Sequence, residues 1–200
     1  MLGRLHQPLR NTHTEADAIR NAAGGRWPVK PLAHPTASHV LEAMSGASIA
    51  HFACHGSSDS TDPMTIHLLL LKDDGGNKSV DRLTVSALLD ANTQKHSWLA
   101  YLSACSTAEM QTRTLADEAL HLTSAFQMVG FAHVIGSLRP ADDQICVQVA
   151  RLFYSFLADA KDSMRLNGSV PEALNYAVRQ IAKEHPDRPG LWAPFIHLGA

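Results

Sequence analysis

The sequence predicts an α/β fold: a three-layer sandwich in which a mainly parallel β-sheet is flanked by helices on both sides. Short runs at 47–54, 98–103 and 132–138 are apolar without alternation, the pattern of strands buried on both faces. Segments with apolar residues at helical intervals separate them, so strands and helices alternate along the chain. Two hundred residues at 45% hydrophobic content suit one compact domain with a sizeable core.

Thr12 followed by Glu15 has capping-box spacing, and Ala16, Ile19 and Ala23 then recur at helical intervals up to Gly24-Gly25. A first helix is expected there. After a proline-punctuated stretch around Val29, residues 36–44 read as a short helix feeding the first buried strand, 47–54. Residues 66–71 and the stretch after the turn cluster Asp73-Asp74-Gly75-Gly76-Asn77 predict a hairpin or an excursion, and 84–89 a short helix. The second buried strand is 98–103. A longer helix over 115–129 closes at Gly130, and the third apolar strand, 132–138, follows. Helices over 142–157 and 170–182 come next. The second of these has Ser169, Pro171 and Glu172 in the places of an N-cap, a first-turn proline and a capping-box acid. A strand over 193–197 ends the chain.

Lys+Arg 17 against Asp+Glu 19 leaves a formal charge of −2, with no basic stripe of the kind that grips a phosphate backbone. Nucleic acid is therefore not an expected partner. No apolar run approaches the roughly 18 residues of a membrane span, and the first ten residues lack a secretory apolar core. A cytoplasmic location is the expectation. The three cysteines, Cys54, Cys105 and Cys146, form an odd count that suits reduced thiols better than a disulfide framework.

Parallel sheets place active sites at the carboxyl ends of their strands, and two strand ends here carry reactive side chains. His55 follows the first buried strand, with Gly56 beside it to let a substrate backbone approach. Cys105 follows the second. Attack on a carbonyl needs thiolate, and a free thiol with a pKa near about 8.5 is mostly protonated at neutral pH unless a base helps. His55 is placed to be that base. It lies 50 residues upstream of Cys105, the order and approximate interval found in caspases. The backbone N–H groups of Gly56 and Cys105 are candidates for an oxyanion hole.

Cys54 and Cys146 lie in apolar segments and read as small core hydrophobes, and His51 as a hydrogen-bonded core histidine. A zinc site from His51, Cys54, His55 and Cys105 is disfavoured, because His51 and Cys54 have opposite parity on a strand and no Cys-x-x-Cys accompanies them. No Gly-x-Ser-x-Gly elbow supports a serine hydrolase. Asp117 and Glu118 suit the positive end of a helix dipole; alternatively one of them lines a substrate pocket and selects a basic residue before the cleaved bond.

Three blocks occur in order: His51-Phe52-Ala53-Cys54-His55-Gly56, then Tyr101-Leu102-Ser103-Ala104-Cys105-Ser106-Thr107-Ala108, then the segment 117–138. Together they resemble a CHAT domain, and the similarity continues through Pro140-Ala141-Asp142-Asp143 and the closing segment 192–199. The family is related to caspases and separases. The resemblance implies a caspase-like sandwich, a His/Cys dyad falling on His55 and Cys105, and neither a metal nor an organic cofactor. Residues 1–11 then read as an N-terminal extension and 12–200 as the CHAT domain. Arg139 stands where family members usually carry tryptophan. Family members also usually have an early strand before the helix that starts near Thr12, often preceded by tetratricopeptide repeats. The expected fold therefore lacks the usual N-terminal portion, and the expectation is a fragment, a shortened gene product or a domain that relies on a partner to cover an exposed sheet edge.

The function expected is that of a cysteine endopeptidase acting on proteins in intracellular signalling or regulated proteolysis. Its partners would be a protein or peptide substrate and a tetratricopeptide-repeat or other regulatory protein. The alternative is a catalytically silent module that acts as an interaction scaffold.

Overall fold

The computed structural model describes residues 12–57, 67–91, 97–103, 115–139, 141–160 and 166–199. The elements run α1 (Thr12–Ala22), α2 (Ala37–Met44), β1 (Ile49–Ala53), β2 (His55–Ser57), β3 (His67–Asp74), β4 (Asn77–Thr84), α3 (Val85–Asp90), β5 (Leu99–Ser103) and α4 (Leu115–Met128). They continue with β6 (His133–Ser137), α5 (Asp143–Asp159), α6 (Leu166–Glu184), a 3-10 turn at Pro189–Leu191 and β7 (Phe195–Gly199).

Among the described residues a four-stranded sheet runs in the order β1-β5-β6-β7. The β1–β5 and β5–β6 pairs are parallel and β6–β7 is antiparallel. Every residue of β5 and β6 is buried, which explains why these strands carry no polar alternation. Ile19 of α1, residues 145–157 of α5 and residues 170–181 of α6 pack on one face with Leu99, Tyr101 and Ile135. Val40 and Met44 of α2, Leu88 of α3 and Leu122 and Phe126 of α4 pack on the other face with Phe52, Ala100, Leu102 and Val134. The sheet is thus the middle of three layers, as expected for a caspase-like sandwich.

Local chemistry starts several of these elements. Thr36 accepts from His39 N at 3.2 Å to open α2, and Thr84 accepts from Ala87 N at 3.1 Å to open α3. Asp142 accepts from Gln144 N and Ile145 N to open α5. The β3–β4 connection is the two-residue turn Gly75-Gly76, with φ of 68° and 98°. Positive φ at both positions is the requirement of a type I′ hairpin, which glycine meets without strain.

The structure corrects the sequence reading at three places. The chain bends at Cys54, and His55–Ser57 leaves the main sheet to pair antiparallel with β3 in a second sheet, β2-β3-β4. Helix α6 begins at Leu166, so Ser169 is a buried residue within the helix and not its N-cap, and Pro171 lies inside the helix. Burial of Val170, Ala173, Leu174, Ala177 and Ile181 carries the helix through the backbone bond that the proline cannot donate. Thr12 is already inside α1, and Glu15 is buried and turned towards the sheet, so the pair does not form the expected capping box. No helix among the described residues is long and apolar enough to cross a membrane.

Candidate active site

The parallel register pairs His51 with Tyr101 and ends at Ala53 with Ser103. These are adjacent strand ends on one sheet, at their carboxyl termini. Two residues after Ala53 comes His55, and two residues after Ser103 comes Cys105. His55 opens β2 opposite Leu69, at the junction between the two sheets. It is half-buried, and its Nδ1 is buried with no hydrogen-bond partner among the described residues. Gly56 is buried and paired with Leu68.

Cys105 lies outside the described residues. Asp117 and Glu118 fall in the first turn of α4, and their side chains also lie outside the described part. Cys146 is buried in α5. Cys54 packs against the core that includes Phe52, and burial, with Glu15 nearby, pushes its thiol up to about 12. Neither has the character of a nucleophile. Arg139 is exposed after β6, and its carbonyl accepts from Ser137 Oγ at 2.6 Å.

Beneath the two strand ends lies a buried polar cluster. Glu15 on α1 is 4% exposed, yet it carries a carboxylate. Its Oε1 accepts from His51 Nε2 at 3.1 Å and from Ser103 Oγ at 2.5 Å. His51 Nδ1 lies 3.1 Å from the hydroxyl of Tyr154 on α5, and its ring stacks on Tyr101 with centroids 4.7 Å apart. Burial alone raises the pKa of a carboxyl; here the hydrogen bond and charge of His51 and the Ser103 hydroxyl outweigh it and hold Glu15 below its usual value. The same burial, together with the Glu15 charge, pushes the Tyr101 and Tyr154 hydroxyls up, so both stay protonated. Both ring nitrogens of His51 are engaged, in keeping with the core role read from sequence and against a metal-ligand role.

The sequence reading missed Glu15, Ser103 and Tyr154. A signal was present for Glu15. It lies four residues before Ile19 and eight before Ala23, both buried, so a charged residue occupies the apolar stripe of α1. Such a residue needs a buried partner, and His51 on an inward strand position was the available one.

A family model for the CHAT domain matches residues 3–200. The chain belongs to the CHAT family. No curated protein matches it. CHAT domains are related to caspase-like peptidases, and this CHAT chain has the corresponding architecture, with a mostly parallel sheet flanked by helices and His55 following the end of a central-sheet strand.

Proposed function

We propose that this CHAT chain is a cysteine endopeptidase with His55 as base and Cys105 as nucleophile. One observation carries the reading: parallel strands β1 and β5 end in register at Ala53 and Ser103, and the two reactive side chains follow at the same offset. In the proposed reaction the Cys105 S–H proton passes to the His55 imidazole, and sulfur attacks the peptide carbonyl carbon. Backbone N–H groups of Gly56 and Cys105 hold the oxyanion. The C–N bond then breaks, the amine leaves with the proton from His55, and a thioester remains on Cys105. Water, deprotonated by the same imidazole, hydrolyses the thioester and restores the thiol.

A free thiol suits a reducing compartment, which supports action on cytoplasmic proteins. Asp117 or Glu118 is proposed to favour a basic residue before the cleaved bond, and a regulatory protein such as a tetratricopeptide-repeat partner to control access. The test is covalent labelling with peptidyl acyloxymethyl ketones that carry a basic, acidic or neutral residue at that position. The expected result is an adduct mapped to Cys105, absent from Cys105→Ala and slowed about 100-fold or more in His55→Ala. Labelling that ignores His55 contradicts the dyad. Equal labelling by all three probes, unchanged in Asp117→Ala and Glu118→Ala, removes the acidic pocket.

A further inference from the structure

The β1–β5 ladder ends at Ala53 and Ser103. Beyond it the chain after β1 turns away from β5 to pair with β3. Among the described residues, one side chain crosses the seam at this last rung. The Glu15 carboxylate holds His51 of β1 and Ser103 of β5 through a single oxygen. It comes from α1, which packs on the same sheet face as α5, and α5 sends Tyr154 to the other nitrogen of His51. The His51 ring is thereby fixed at both nitrogens and on one face by Tyr101.

A buried carboxylate held by hydrogen bonds is a poor device for stability alone, because its desolvation offsets most of what its partners return, and apolar residues of similar size often do as well. What such an arrangement supplies is a fixed geometry. We infer that Glu15 is a positioning residue: by clamping His51 and Ser103 from below, it sets the separation of the strand ends that carry His55 and Cys105. The inference rests on the peptidase reading of that pair. Glu15 touches no substrate. It acts through Ser103, two residues before the nucleophile, and through His51, four before the base. A misplacement of about 1 Å between base and nucleophile is enough to cost about 100-fold in rate. The titratable groups that feel the Glu15 charge are His51, Cys54, Tyr101 and Tyr154, and the last three stay protonated around neutral pH.

The experiment measures iodoacetamide alkylation of each cysteine over a pH series, by peptide mass spectrometry, in the full chain. It compares wild type with Glu15→Gln, Glu15→Asp and Ser103→Ala. Half-buried Cys54 and buried Cys146 report in the same spectra on whether the core has opened. The expected result is that Glu15→Gln and Ser103→Ala each slow Cys105 alkylation about tenfold or more at neutral pH and move its pH midpoint upwards. Cys54 and Cys146 stay unmodified, and Glu15→Asp recovers part of the rate. On any peptide that the chain cleaves, kcat falls and KM holds. Ser103→Ala deletes one hydroxyl and keeps the carboxylate, so it tests the clamp even if Glu15→Gln fails to fold. A wild-type Cys105 profile in Ser103→Ala overturns the inference, as does a change at Cys105 accompanied step for step by opening of Cys54 and Cys146. A wild-type Cys105 no more reactive than free cysteine overturns the peptidase reading and this inference together, whereas a reactive Cys105 indifferent to both variants overturns this inference alone.

Discussion

Glu15 concentrates the physics of this molecule in one side chain. A carboxylate that is 4% exposed persists only because His51 and Ser103 satisfy it. Its folded pKa is below its unfolded one. The sign follows: the stabilisation is fully present above the ordinary carboxylate range and is lost as pH falls through the depressed folded value, because the unfolded chain takes up the proton first. Glu15→Gln should therefore lower unfolding free energy by about 1–3 kcal/mol at neutral pH, and the two proteins should converge in acid. Urea denaturation at several pH values checks this, and a gap that persists undiminished in strong acid contradicts it. Cys54 gives a second prediction. With its thiol pushed up to about 12, it should resist alkylation in the native protein at neutral pH and react only on unfolding; rapid labelling of Cys54 in the folded chain would refute that.

At the scale of elements, α4 meets β6 at Gly136, where an added Cβ would lie 2.6 Å from Thr123 Cγ2. Two carbon atoms cannot share that space, so the Thr123 side chain, the helix or the strand must shift. Gly136→Ala is expected to cost about 1–3 kcal/mol, read as a lowered urea midpoint with an unchanged slope, and Gly136→Ala combined with Thr123→Ser should recover part of it. Pro171 works in the opposite direction. It is exposed and lies inside α6, so Pro171→Ala should restore a backbone donor and raise stability by about 1 kcal/mol or more; a loss would mean that the proline rigidifies the helix start more than it disrupts it. The same proline explains the misread boundary. Proline, serine and glutamate in the first-turn pattern are a sound start signal, but here the apolar stripe from Val170 to Ile181 holds a helix that already runs from Leu166. Strand β2 was illegible for another reason. Three residues carry no periodicity, and its pairing with β3 depends on a long-range contact that no local pattern encodes.

At the scale of the whole molecule, the layer order was legible because β5 and β6 are buried on both faces, which leaves their sequences without polar alternation. Half of the candidate site was legible on the same ground: strand ends in a parallel sheet are where chemistry gathers, and His55 follows one of them. The support beneath that site was not, since Glu15 fits a capping pattern locally and reveals its role only when α1 docks on the sheet beside His51. Local and global demands differ at this residue, as they do most often where a protein builds a functional site. The central claim concerns what the assembled layers accomplish, and it is tested most directly by incubating a proteome-derived peptide library with the full chain and, in parallel, with Cys105→Ala. The account predicts new peptide termini that appear only with the intact thiol and share a preferred residue before the cut. Identical libraries after both treatments, from protein shown to be folded, would contradict it.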